Sequence, residues 1–242
     1  MIKSISIIYP IYNEQKRLSK TIRDIKKFDK SNNLIKKEYI LVNDGSTDKT
    51  LLLLKKKFNK NKRIKIINYK INRGKGYALK LGVRHAQNQW ILTTDSDCSV
   101  SNFQLTDWIK KKYINNKTFI YFGSRNLPNS LVKKKLIRKI IGNIFIFISR
   151  MLFQINLSDT QCGFKLYKSF YAKKIFKKIL TDGYMHDIEI CILANKLCLK
   201  IIELPVQWMH MPESKINFPR DFIKIFFNML KIKQNNYGKL QK

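Results

Sequence analysis

The sequence predicts an α/β fold built on a mainly parallel sheet flanked by helices. Short apolar runs of strand length alternate with stretches whose apolar residues recur at helical spacing. Polar clusters follow these runs, and in parallel sheets the carboxyl ends of the strands gather such clusters into one crevice.

The elements follow in order. Residues 4–9 (S-I-S-I-I-Y) form a strand closed by Pro10. Asn13 then offers a cap for a helix over 14–28, with Leu18, Ile22 and Ile25 on one face. A second strand covers 39–42. Ser46 or Thr47 is placed to cap the next helix, whose buried face comes from Leu51 to Leu54. Residues 64–67 make a third strand, N-R-G-K-G (72–76) a turn, 77–87 a helix and 91–94 a fourth strand. Such strand–helix alternation implies right-handed βαβ units. Beyond residue 100 the pattern predicts a helix at 102–112 and a strand at 118–122 ending in Gly123, Ser124 and Arg125. It continues with a long helical stretch at 131–157, an extended segment at 162–167, helices at 169–179 and 185–197, and a strand at 201–206. A last amphipathic helix is expected at 218–233, with a frayed tail from 234. There is no internal repeat and no long linker. A single domain over 1–242 is expected, with halves meeting near residue 100.

The chain carries 49 Lys+Arg against 16 Asp+Glu, a formal charge of +33. Such a field favours polyanions or an anionic membrane surface. The same Lys, Asn and Ile richness is also what an AT-rich coding sequence produces. No recognisable nucleic-acid module is present and the charge is spread along the chain, so no nucleic-acid partner is expected. No run reaches the roughly 18–20 apolar residues of a spanning helix. No signal peptide precedes the first strand, and Cys98, Cys162, Cys191 and Cys198 form no C-x-x-C pair. A cytoplasmic chain with reduced thiols is the simplest expectation. His85, His186 and His210 are too scattered to suggest zinc.

The chemistry centres on T-D-S-D at 94–97. On an extended segment Asp95 and Asp97 would share one face, with small Ser96 between them. Two hard oxygen ligands suit Mg²⁺ or Mn²⁺ held against a substrate's phosphates. An isolated D-x-D is more often a solvated turn. Here, however, Asn13–Glu14, Asp44 and Asn72 to Gly76 also stand directly after strands.

Y-P-I-Y-N-E (9–14), V-N-D-G-S-T-D (42–48), N-R-G-K-G-Y-A-L (72–79) and T-D-S-D (94–97) together resemble the family 2 inverting glycosyltransferases of the GT-A fold. F-G-S-R-N (122–126), D-T-Q-C-G-F-K-L-Y (159–167), D-I-E (187–189) and P-V-Q-W with P-E-S-K (205–215) resemble dolichyl-phosphate β-glucosyltransferases and their polyprenyl-phosphate relatives. Eukaryotic members carry an N-terminal membrane helix and many bacterial relatives carry C-terminal ones; this sequence shows neither. His186 stands where an aromatic residue is expected.

The resemblance implies a nucleotide-sugar donor, most simply UDP-glucose, and a polyprenyl phosphate acceptor at the inner membrane face. It places Asp44 on the uracil or ribose, with Glu14 and the backbone of Pro10 to Tyr12 lining the same pocket. Asp44 also suits a turn before Gly45, and Glu14 a first-turn helix charge. The turn containing Gly74 and Lys75 would approach the diphosphate. Asp95, Ser96 and Asp97 would hold donor and metal. Arg125 and Arg138 would bind the acceptor phosphate, as Arg suits bidentate phosphate contacts, with Lys133, Lys134, Lys135 and Lys139 beside them. Asp187 and Glu189 would organise the acceptor pocket or simply charge a helix N-terminus. Basic amphipathic helices at 133–157 and 218–233 would either lie on the membrane or pack in the core. The competing expectation is a soluble family 2 transferase acting on a saccharide hydroxyl in cell-envelope polysaccharide, which needs a base at Asp187 or Glu189.

Overall fold

A computed structural model describes residues 2–31, 34–115, 117–132, 136–209 and 227–234, and side chains of 136–143 fall outside that description. Its centre is a seven-stranded sheet of order β3-β2-β1-β4-β7-β5-β8. The strands are β1 (Ser4–Ile11), β2 (Lys36–Asp44), β3 (Ile64–Tyr69), β4 (Trp90–Thr93), β5 (Ile120–Ser124), β7 (Lys165–Lys168) and β8 (Ile201–Pro205), with β6 (Leu131–Val132) and β9 (Gln207–Trp208) as a separate pair. β7 runs antiparallel between β4 and β5; the other pairings in the sheet are parallel.

Two apolar layers enclose the sheet because successive side chains on a strand face opposite ways. Ile5, Ile7 and Tyr9 of β1, Tyr39 and Leu41 of β2, and Trp90 and Leu92 of β4 pack on one side. They meet α1 (Leu18–Lys30), α2 (Thr50–Phe58) and α4 (Phe103–Lys110) through Ile25, Leu54 and Trp108. Ile8, Ile40, Val42 and Ile91 face the other side. There they meet α3 (Lys75–His85), α6 (Ser169–Lys178) and α7 (His186–Lys196) through Val83, Ile175 and Leu193. Each fully buried aliphatic or Phe side chain contributes about 1.5–3 kcal/mol relative to exposure.

Several boundaries differ from the sequence expectation. Asn13 does not cap α1, which starts at Leu18. Its side-chain oxygen instead accepts the Thr47 N–H at 2.8 Å, tying the turn after β1 to the turn after β2. Ser46 and Thr47 are drawn into that contact, and Asp48 accepts the Thr50 N–H (2.9 Å) at the start of α2. Of the expected Leu51–Leu54 face, Leu54 is buried while Leu52 is exposed; Thr50 and Phe58 complete the buried stripe. The stretch from 131 is broken: β6 comes first, and α5 spans Leu136–Phe153. β7 begins at Lys165, three residues after the expected extended start, and α3 begins at Lys75 rather than 77. The expected terminal helix is described only at 227–234. The side chains of Arg138 and Lys139, all of Lys133 to Lys135 and the tail beyond 234 lie outside the described residues. The four cysteines are free, and Cys98, Cys162 and Cys191 are buried.

Trp108 fastens α4 to the far end of the sheet. Its indole N–H donates to the Pro205 carbonyl at 2.8 Å and its ring meets Phe164 edge-on at 5.1 Å. Trp108→Phe keeps an aromatic ring but leaves that carbonyl without its donor. The expected cost is about 1–3 kcal/mol, read as a lower urea midpoint at unchanged m-value.

Candidate active site

The reversed direction of β7 decides what reaches the site. Because Lys165 pairs with Thr93, the residues before β7 lie at the carboxyl edge of β4. The segment 158–164 therefore joins the turns after β1, β2, β3, β4 and β5 at one edge.

At the turns after β2 and β3, buried Asp44 is the hub. Its carboxylate accepts the N–H groups of Arg73 (2.8 Å) and Gly74 (2.9 Å) and the Asn72 side-chain amide (3.0 Å). These bonds order the 72–74 turn. Gly74 sits at φ 108°, and a Cβ there would lie 2.6 Å from the Asp182 carbonyl oxygen, so no other residue suits this position. The Tyr77 N–H donates to that same carbonyl at 3.1 Å. The backbone amides of Arg73, Gly74 and Tyr77 are thus engaged within the protein. Lys75 remains. Pro10 is half-buried within β1, Tyr12 is half-buried just beyond it, and buried Glu14 grips Arg17 through two bonds of 2.6 and 2.8 Å.

The D-S-D segment is a turn and not a strand end. β4 stops at Thr93, the Cys98 N–H reaches the Asp95 carbonyl at 3.3 Å, and Cys98 adopts φ 52°. The strand pleat therefore does not set the carboxylates. The turn still brings them close enough to interact: burial and then the Asp95 charge push the Asp97 carboxyl above its ordinary range. Asp97 accepts the Ser99 N–H at 2.8 Å, and buried Ser96 presents its carbonyl to the Thr21 hydroxyl. Asp95 is 38% exposed and already holds a cation, the Lys75 ammonium at 2.7 Å. Burial works against charge on Lys75, but Asp95 and then Asp187 outweigh it and raise its pKa. A Cβ at Gly163 would overlap the Asp95 carboxylate, so glycine is what lets this acid pack against the segment before β7.

The second half supplies paired charges. Arg125, just after β5, makes a two-toothed contact with Asp159 through Nε (2.7 Å) and Nη2 (2.8 Å). Asp159 is placed in turn by Glu203 of β8, which accepts the Ser158 and Asp159 N–H groups at 2.7 and 2.8 Å. Burial raises the Asp159 pKa, but the Arg125 charge outweighs it and the carboxyl sits below its ordinary value. Asp187 is buried against the Lys165 ammonium, which also donates to the Thr160 carbonyl at 2.8 Å and lies over the Phe122 ring. His186 Nε2 stands 3.2 Å from Asp187 without hydrogen-bond alignment, while its Nδ1 is 2.8 Å from the Gly183 carbonyl. Burial opposes the Asp187 charge, yet His186 and Lys165 hold its pKa far below the ordinary value. Glu189 is fully buried and accepts the N–H groups of Leu180 (3.2 Å) and Thr181 (2.8 Å), fixing the loop that abuts Gly74 and Gly76.

The structure thus brings Asp44, Gly74, Lys75, Asp95, Ser96, Asp97, Arg125 and Asp187 to one edge, with Glu189 bracing a loop behind them. Asp159, Gly163 and Lys165 are additions of the structure. Their residue types stood in D-T-Q-C-G-F-K, where a lysine inside an apolar strand pattern is the signal of a buried ion pair.

Two clustered carboxylates, a basic residue and the post-strand turns thus share one edge of the sheet. The chain belongs to glycosyl transferase family 2, whose family model matches residues 6–176. Its relatives include the dolichyl-phosphate beta-glucosyltransferase ALG5D of Trichomonas vaginalis, 35% identical over 94% of this chain and 72% of that protein. The dolichyl-phosphate beta-glucosyltransferase of Saccharomyces cerevisiae is 33% identical over 91% of this chain and 71% of that protein. The fold also matches glucosyl-3-phosphoglycerate synthase from Mycobacterium tuberculosis, solved with Mn²⁺, UDP and glucosyl-3-phosphoglycerate. Its TM-score is 0.72 at 14% identity, covering 96% of this chain and 80% of that one. The architecture is therefore GT-A.

Asp159→Asn breaks the contact with Arg125 and should destabilise the protein by about 2–4 kcal/mol at neutral pH. The folded-state pKa of Asp159 is depressed, so its stabilisation is present above the unfolded carboxyl value and lost as pH falls through the folded one. The stability gap between wild type and variant, measured by urea unfolding, should hold from about pH 5 to 7 and narrow below about pH 4.

Proposed function

We propose that the protein transfers glucose, with inversion, from UDP-glucose to dolichyl or another polyprenyl phosphate at the inner membrane face. The curated relatives' names support this acceptor and sugar. The observation that carries the choice of a phosphate acceptor is the state of the carboxylates. An ordinary hydroxyl needs a general base near pKa 7. Among the described residues, Asp187 is held ionised by His186 and Lys165, Asp159 is locked to Arg125, and Glu189 serves backbone amides. A phosphate monoester needs no base, because it is already anionic at neutral pH.

In this reading Asp95 and Asp97 hold Mg²⁺ or Mn²⁺. The donor set fits: the Asp95 charge reaches the Asp97 carboxyl, so two oxygen ligands stand close together, and Asp95 already pairs with a cation. When bound, the ion neutralises charge on the departing diphosphate. Asp44, beneath the ordered 72–74 turn, and Glu14, Pro10 and Tyr12 line the nucleoside side. Arg125, with Nη1 outside its fork with Asp159, orients the acceptor phosphate for in-line attack at the anomeric carbon. Arg138, whose side chain lies outside the described residues, is assigned to the same phosphate by the family resemblance. The attacking phosphate oxygen forms the new bond as the sugar's bond to the diphosphate oxygen breaks.

Among the described residues no helix is long and apolar enough to cross a membrane. On α5, however, Ile144, Phe147 and Met151 are 43%, 63% and 69% exposed at spacings of three and four, beside exposed Arg150. An apolar stripe on a chain of charge +33 suits an anionic lipid surface.

The deciding assay supplies UDP-[¹⁴C]glucose with dolichyl phosphate and counts label in the organic phase. Transfer of label supports the proposal; turnover only with free saccharides, or only with GDP-sugars, overturns it. Arg125→Lys keeps a charge against Asp159 but loses the planar fork. It should lower transfer roughly tenfold or more while leaving UDP-glucose hydrolysis nearly unchanged. Asp97→Asn should abolish transfer while the circular dichroism spectrum and Tm stay those of wild type, and near-normal rates in that variant would remove the metal role.

A further inference from the structure

Lys75 holds a charge that the fold confines to one place. It opens α3, only 18% of its side chain is exposed, and its Nζ lies 2.7 Å from Oδ1 of Asp95. Asp187 acts on the same ammonium from the buried side. Neighbouring donors point elsewhere. The Arg73 guanidinium bonds Asp182 at 2.9 Å and stacks on Tyr77, and the Arg73 and Gly74 amides go to Asp44. Lys75 is therefore the side-chain cation of this turn that faces the D-S-D carboxylates.

A divalent ion entering alone must displace this ammonium from Asp95 and then sit beside it, like charge against like. A divalent ion entering with a diphosphate meets no such conflict, because the phosphate gives Lys75 a new anion. We propose that Lys75 is the resident cation of the site: it holds Asp95 until nucleotide arrives, then passes from carboxylate to phosphate as the divalent ion takes its place. The inference rests on the nucleotide-sugar reading above and adds an order to it. Metal and nucleotide bind as a pair, each raising the other's affinity by the same factor.

The test measures Mn²⁺ binding to the full chain by titration calorimetry and by the Mn²⁺ paramagnetic resonance signal, without and with UDP. Wild type should bind Mn²⁺ weakly alone and far more tightly with UDP. Lys75→Met should bind free Mn²⁺ roughly tenfold more tightly, and the enhancement by UDP should shrink by a similar factor. Lys75→Arg should stay within about threefold of wild type for free Mn²⁺. Lys75→Gln replaces the Met variant if that one does not fold. Free-Mn²⁺ affinity equal to or below wild type in the neutral variant overturns the proposal alone. A wild type that binds no UDP in the presence of Mn²⁺ overturns the nucleotide-sugar reading and this inference with it.

Discussion

The site depends on a row of alternating charges: Asp95, Lys75, Asp187 and Lys165. Each is at least partly withdrawn from water, and a buried charge is tolerated only where a partner of opposite sign compensates it. Satisfying that demand ties the turn after β4, the start of α3, the start of α7 and the start of β7 to one another. The Arg125–Asp159 pair, seated by Glu203, repeats the same logic one strand further along. Electrostatic compensation, more than apolar packing, sets where the reactive groups stand. The packing decides only that these elements share an edge.

The turns after β1, β2 and β3 are knitted differently, by neutral or singly charged hydrogen bonds to backbone amides. Asn13 reaches the turn after β2, and Asp44 reaches the turn after β3. Because these bonds cross between turns, each of these loops helps to hold the next. Preorganised polar groups of this kind lower the reorganisation a charged ligand would otherwise demand.

Much of the fold is legible in the sequence because saturated apolar runs and a period of two leave little choice for β1, β2 and β4. The helix starts are less so. Asn13, Ser46 and Thr47 look like local caps, yet their partners lie more than thirty residues away, and a distant amide competes equally well for a side-chain oxygen. The D-S-D pair is legible as a pair, although a turn and a left-handed Cys98 bring the acids together where the pleat was expected to. Arg125 is visible as a post-strand cation, but Asp159 as its partner is not, because that contact spans 34 positions and exists only once β7 is inserted in reverse between β4 and β5. Asp187 and Glu189 look alike in D-I-E and part company in three dimensions, one meeting a lysine and the other a loop backbone.

Gly163 carries a consequence for how such enzymes can diverge. The carboxylate of Asp95 occupies the volume that a side chain at 163 would need, so the two positions are locked together across the sheet. The first hundred residues and the segment before β7 are therefore not interchangeable modules. A chimaera that exchanges residues 1–100 between relatives keeps the present placement of Asp95 only if its other parent contributes a bare backbone at 163. This junction therefore travels as a single unit.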